Sequence, residues 1–385
     1  MQAGSLLMLS LALLSSSTAG ATEHEELPPY DSSHPVEIPP IGPFYGVRLR
    51  GLGGAYTAVA EGAEGTLTSL ASLANRRPDE AGYFHWDGMF SWLFPAGDLD
   101  LTNSGEVTPA GLRLLATGVL VRFGPLGVGL FAESMGMTEP SGRGREVRTN
   151  RAVAGAAYAL PGDTWIVGAG IHSIGYLIRQ TDSEPIETSH PHLGADILFR
   201  PTDKNYRFGA SLKLRGIADL REAPTSDMPP AVVRPWEASF GTAIWLGDGS
   251  INKPLPNTEI SLPRKPARTG MLISADLFLI GPPPREGAPA AGLEAYFEDK
   301  LQLTRQRMSL GFRVGGETEA IPDKVRIRGG FWLEPSRFND VRGRLHWTGG
   351  LDFLLFTFFD YQWRASMVFD LAAQYRVAGL SLGLW

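Results

Sequence analysis

The stretch that decides the fold is Arg207-Phe208-Gly209-Ala210-Ser211-Leu212-Lys213-Leu214-Arg215-Gly216-Ile217-Ala218-Asp219-Leu220. Successive side chains of a strand point to opposite faces. Phe208, Ala210, Leu212, Leu214, Gly216, Ala218 and Leu220 therefore form one row, and Arg207, Lys213, Arg215 and Asp219 stand in the other. A soluble sandwich buries the apolar row and wets the polar one. A transmembrane barrel turns the apolar row to lipid and the polar row to a lumen.

The pattern recurs without a charge in the apolar rows. Leu193, Ala195, Ile197 and Phe199 oppose His192, Asp196 and Arg200. Met271, Ile273, Ala275, Leu277 and Leu279 oppose Asp276, and Met308, Leu310, Phe312 and Val314 oppose Arg307, Arg313 and Glu317. Val325, Ile327, Gly329, Phe331 and Leu333 oppose Arg326, Arg328 and Glu334. Leu345, Trp347, Leu351, Phe353 and Leu355 oppose Arg344, His346 and Asp352. Each run has about the 9–11 residues a tilted membrane strand needs. So many charge-free rows exceed what one sandwich covers. The expected fold class is all-β, a transmembrane antiparallel barrel of about fourteen strands.

The expected strands are 82–94, 112–123, 126–138, 151–159, 164–178, 192–200, 206–220, 235–246, 268–280, 291–299, 305–316, 324–334, 344–356 and 363–385. The last is too long for one clean strand, and a bulge near Gly379 would reset its phase. Gly124-Pro125, 160–163 and 201–205 read as tight turns, whereas 139–150, 180–191 and 221–234 are long and polar. Short turns at one end and long loops at the other mark outer-membrane barrels. The long 248–267 connection falls on the short-turn side.

Composition fits this reading. The formal net charge of −6 argues against nucleic acid as a partner. With no cysteine, disulfides and thiolate metal sites are excluded. No cofactor is expected. The 46 glycines suit curved sheets, and the 9 tryptophans suit a membrane interface.

Residues 1–21 read as a signal peptide: Leu6 to Leu14 is apolar but too short to span, and Ala19-Gly20-Ala21 is a small-x-small cleavage site. Residues 22–45 form an acidic, proline-rich linker in which His24 and His34 read as solvated side chains. Residues 46–80 are rich in small residues and suit a narrow space. Residues 81–385 supply the barrel.

Arg50-Gly51-Leu52-Gly53-Gly54-Ala55-Tyr56-Thr57-Ala58-Val59-Ala60 resembles the opening of the FadL-type (long-chain fatty-acid transporter) outer-membrane proteins, an opening largely shared by PorV-type barrels. Residues 322–331 and Glu334-Pro335-Ser336 resemble the superfamily's C-terminal strands. The likeness spans about 46–76 and 306–356 and is architectural between them. It implies a fourteen-stranded barrel in the outer membrane of a Gram-negative bacterium. A luminal hatch would carry Arg50, Gly51, Gly53, Gly54, Ala55, Tyr56 and Ala71. Passive uptake of hydrophobic compounds such as fatty acids would follow. An Asn-Pro-Ala element of the superfamily falls here at Ser69-Leu70-Ala71, so only its alanine is kept.

Arg207, Lys213, Arg215, Arg313, Arg326 and Arg328 stand on rows assigned to the lumen and are the candidate ligands for a carboxylate. The competing reading pairs them with Asp219, Asp276, Glu317, Glu334 and Asp352 to hold barrel and hatch together. The alternative function is a PorV-like barrel that docks a surface or secretion assembly without transporting. Expected partners are outer-membrane lipid, hydrophobic small molecules, and the barrel-assembly machinery through the C-terminal strand ending in Trp385. An enzyme is not expected: no G-x-S-x-G occurs, and His172 and Ser173 point to opposite strand faces. His190 and His192 flank Pro191, which reads as loop. Gly51-x-Gly53 lacks the strand-then-helix frame of a phosphate loop.

Overall fold

Hydrocarbon offers no partner to a backbone N–H or C=O, so a sheet crossing it must close on itself. The structure, a computed structural model, does this with fourteen strands. It describes residues 33–38, 46–77, 80, 83–107, 112–138, 146–179, 186–220, 229–248, 250–253, 270–283, 289–293, 300–358 and 361–384. The expected signal peptide, most of the 248–267 connection and Trp385 lie outside the described residues.

In chain order the elements are β1 (Val36–Glu37), helix α1 (Val47–Gly51), two 3₁₀ turns (Ala63–Leu67, Leu70–Leu73), β2 (Phe84–Pro95), β3 (Arg113–Phe123), β4 (Leu126–Thr138), β5 (Glu146–Ala159), β6 (Trp165–Arg179), β7 (Ile186–Phe199), β8 (Tyr206–Lys213), β9 (Gly216–Asp219), β10 (Ala231–Arg234), β11 (Glu237–Gly247), β12 (Gly270–Ile280), β13 (Ala291–Gly292), β14 (Ser309–Ile321), β15 (Val325–Glu334), β16 (Arg344–Phe358), β17 (Tyr361–Ala372) and β18 (Tyr375–Leu384). Barrel strands pair antiparallel with their neighbours in the chain, and β18 closes on β2 from Val377↔Pro95 to Gly383↔Met89. Two excursions leave the wall. Strands β9 and β10 interrupt β8 and β11, which nevertheless pair directly, and β13 interrupts β12 and β14.

Alternation sorts the side chains as lipid demands. On β4, Leu126, Val128 and Leu130 are exposed while Phe131, Glu133 and Met135 are buried. Phe84, Phe123, Tyr158 and Trp165 are exposed near the short-turn end, where an aromatic girdle meets the membrane interface. Asp163 (φ 55), Asp323 (φ 59) and Gln374 (φ 54) take the left-handed backbone that their tight turns demand.

Four expectations need correction. Strand β8 ends at Lys213, and the phase inverts beyond it: Arg215 and Asp219 are exposed, whereas Gly216, Ala218 and Leu220 are buried. The chain has left the barrel there to join a second sheet. The expected strand 291–299 contributes no barrel strand among its described residues; only Ala291–Gly292 pairs, in that second sheet. The 363–385 run contains no bulge at Gly379; its described residues belong to β17 and β18, joined by a turn at Ala373-Gln374. Lastly, β7 begins at Ile186, so Pro191 lies within a strand.

The second sheet has the order β13-β1-β10-β9 and sits at the long-loop end. Strand β1 lies parallel between β10 and β13, pairing Val36 with Val232 and Ala291. Glu37 is 3% exposed and its Oε1 accepts from Arg337 Nε at 2.8 Å. Part of the proline-rich stretch is thus buried as the middle strand joining two excursions.

An arginine on the lipid row costs about 2–4 kcal/mol at the bilayer midplane and little near the interface. Leu130→Arg is expected to lower unfolding stability in lipid vesicles by that amount, and Ser134→Arg, toward the rim on the same outward row, by less. Urea titration of the refolded barrel checks this; equal costs would contradict the assigned strand phase.

Candidate functional site: the barrel lumen

Small residues let the backbone of 46–77 approach the inner wall closely. Gly53 (φ 62) and Gly54 (φ 77) adopt conformations that favour glycine. A Cβ on Gly53 would lie 2.9 Å from Phe331 N, and one on Gly315 would lie 2.3 Å from Leu52 O. Glycine meets glycine here: Gly330 approaches Gly53 N closely enough that its Cβ would sit at 2.6 Å. Ala55 and Ala71 are fully buried.

Three inward aspartates hold this segment by its backbone. Asp276 Oδ2 accepts from Tyr56 N (2.9 Å), Thr57 N (3.0 Å) and Thr57 Oγ1 (2.7 Å). Asp87 Oδ2 accepts from Ala63 N at 3.0 Å, at the start of the first 3₁₀ turn. Asp196 Oδ2 accepts from Leu70 N at 2.9 Å, at the start of the second. Short helical turns leave their first N–H groups without internal partners, and a carboxylate there satisfies both the donor and the local dipole.

The candidate cations divide. Arg207 donates to Val59 O (2.8 Å), Glu61 Oε1 (2.9 Å) and Asn252 Oδ1 (2.7 Å), tying the internal segment to the wall. Arg328 is paired with Glu317 and Asp352, and Glu317 also accepts from Arg48 Nε of α1 at 3.0 Å. Arg313 lies 4.3 Å over the Phe278 ring. Arg326 pairs with Glu319 at 3.1 Å near the short-turn rim. Arg50 Nη1 reaches Asp370 (3.4 Å) and the Tyr375 hydroxyl (3.3 Å). Tyr56 Oη accepts from Arg48 at 2.9 Å and donates to Glu61 O at 2.8 Å. Arg215, exposed beyond β8, takes no part. His346 bridges Asp370 (Nδ1, 2.8 Å) and Glu334 (Nε2, 3.0 Å).

Lys213 sits elsewhere, 3.6 Å from Glu237 and toward the long-loop end. Around it stand Arg234, whose Nε donates to Glu237 Oε1 at 3.0 Å, and Arg151, paired with Glu133. Between them His172 and His192 face each other across β6 and β7, rings stacked at 5.4 Å. Both are buried, and His172 Nε2 and both His192 ring nitrogens have no hydrogen-bond partner. Sequence reasoning set these histidines aside. The signal was a matched cross-strand register, which needs β7 to begin before Pro191. A packed apolar cluster including Met135, Met137, Val147, Ile174, Ile178 and Leu220 lies at the same end of the molecule. No group of three His, Asp or Glu able to hold a metal occurs among the described residues.

Two carboxyls of the internal segment and its exit are shifted in opposite directions. Burial pushes Glu64 from 4.5 up to about 7, against the pull of Arg328 and the Leu49 N–H. Burial would also raise Glu80, but Arg122 and Arg77 hold it well below the usual carboxylate range.

Folding thus takes up a proton at Glu64 between pH 4.5 and about 7. The Glu64 contribution is full at low pH and is lost as pH rises through that window. Glu64→Gln is expected to gain stability relative to the parent as pH passes from 4.5 to above 7, read by urea titration at each pH. A constant difference across the range would contradict the assignment. Asp276→Ala strands three donors that now bond a carboxylate and is expected to cost roughly 3 kcal/mol or more in the same assay.

No protein-family model and no curated relative matches the sequence. Solved structures do match. The Ralstonia pickettii toluene transporter TbuX aligns at TM-score 0.52 and 12% identity, over 90% of this chain and 98% of that one. A Pseudomonas aeruginosa FadL homologue aligns at 0.50 and 12%, over 93% and 98%. The Pseudomonas putida toluene transporter TodX aligns at 0.51 and 11%, over 91% and 98%. A closed wall, an apolar exterior and this alignment over nearly the whole length lead to one statement: the chain has the fold of these solved structures, a closed fourteen-stranded antiparallel β-barrel with an apolar outer face.

Proposed function

We propose that the barrel admits hydrophobic compounds passively from the long-loop end, with residues 46–77 acting as a hatch. One observation carries the reading: a packed apolar cluster inside the long-loop end lies beside a cationic cluster with unspent imidazole nitrogens. An amphipathic acid needs this combination, an apolar lining for its tail and cations for its carboxylate. Of the six candidate cations, Lys213 is the one in this cluster; Arg207 and Arg328 are engaged in the ion pairs around the internal segment. The hatch role draws support from the three aspartates, which hold 46–77 by backbone hydrogen bonds rather than by a covalent tie. No observation favours the docking reading over this one.

Uptake of labelled long-chain fatty acid into deletion and complemented cells tests the proposal. Complementation is expected to restore uptake, and equal uptake in both strains would remove the reading. Lys213→Gln withdraws a charge-assisted hydrogen bond of about 1.5–3 kcal/mol, so fatty-acid uptake is expected to fall about tenfold or more. Uptake of toluene, which has no head group, is expected to stay unchanged.

A further inference from the structure

Glycines of β14, β15 and β16 pair with one another across the wall: Gly315↔Gly330, Gly316↔Gly329 and Gly329↔Gly349. Their two faces are used differently. The inward Gly315 and Gly330 receive the backbone of Leu52 and Gly53. The outward Gly316 and Gly329 floor a depression of about 550 Å³ walled by Met271, Ile273, Ile327, Phe331 and Trp347. Nothing in the protein fills it at Gly329, where an added Cβ would meet no atom closer than Thr348 O at 4.0 Å. At Gly349 the same outward row is covered, since a Cβ there would lie 2.3 Å from the Phe369 ring.

We propose that this depression is a binding groove for one alkyl chain of a membrane lipid. The occupant follows from position and chemistry. The groove is continuous with the lipid-facing belt, because Met271, Ile327 and Trp347 are themselves exposed outward. Its five named walls carry no charge. Thr318, at its edge, already donates its hydroxyl to Gly270 O at 2.8 Å. Glu317 and Arg328 also border it, but their side chains are paired with each other and with Arg48 and Asp352, so no charge is offered to a head group, and an unfilled groove forfeits dispersion contacts that a methylene chain restores. The bound chain is separated from Leu52 and Gly53 by one layer of sheet backbone. The inference does not depend on the transport reading.

The test uses the full-length barrel in phosphatidylethanolamine vesicles doped with phosphatidylethanolamine bearing a diazirine in its acyl tail. Photolysis followed by peptide mass spectrometry maps the adducts. Adducts are expected to concentrate on Met271, Ile327 and Trp347 relative to Val128 and Leu130, which are equally lipid-facing on another part of the wall. Gly329→Leu fills the groove and is expected to cut those adducts several-fold while leaving Leu130 unchanged. Gly329→Ala, a smaller filling of the same open space, serves if the leucine variant does not reach the folded, heat-modifiable form. Labelling spread evenly around the belt overturns the proposal. So does ready disulfide-linked dimerisation of a Met271→Cys variant in the same vesicles under oxidant, in a chain that has no other cysteine, which would assign the groove to a second copy.

Discussion

The controlling constraint is that hydrocarbon satisfies no hydrogen bond. It forces the wall to close, from β2 round to β18 and back. Closure then fixes what each alternate side chain meets. Leu126, Val128 and Leu130 go outward because lipid welcomes them, so Glu133, Arg151 and Lys213 must go inward and find partners. The polar interior is thus a consequence of the wall before it is a functional device.

Within that interior, charge serves two ends of the molecule differently. Around residues 46–77 much of it is spent, with Arg48, Arg207 and Arg328 tied to Glu61, Glu317 and Asp352 and with Asp87, Asp196 and Asp276 taking up backbone N–H groups, although Arg50 Nε and Nη2 and Glu64 Oε1 keep no partner. Breaking a buried pair by removing one partner is strongly destabilising. Toward the long loops, Lys213 and Arg234 share Glu237, and the His172–His192 stack keeps nitrogens without partners. That end retains polar capacity beside an apolar lining.

Period-two alternation was enough to read the class of fold, because each row has one solvent on each side. The glycine motif at 51–54 was readable too, since backbone against backbone tolerates no Cβ. Counting strands was harder. The residues 291–299 alternate like a strand, yet among those described only Ala291–Gly292 pairs in a strand, while 363–384 holds parts of two strands around the turn at Ala373-Gln374; these two errors cancelled in the total of fourteen. Arg215 misled for a related reason: alternation carries on past Lys213 although the chain has left the barrel. The histidine stack was invisible because it depends on cross-strand register, and the aspartate clamps because they depend on where residues 46–77 meet the wall; a single strand contains neither.

Side-chain orientation at the first stretch read from the sequence is the most direct check of the whole account. Single nitroxide labels at Leu212 and Lys213 in reconstituted vesicles report exposure to dissolved oxygen, which concentrates in hydrocarbon, and to a water-soluble nickel chelate. The account predicts that the label at 212 collides readily with oxygen and hardly with the chelate, whereas the neighbouring label at 213 shows no such oxygen preference. The same oxygen preference at both positions, or ready chelate access at 212, would contradict it.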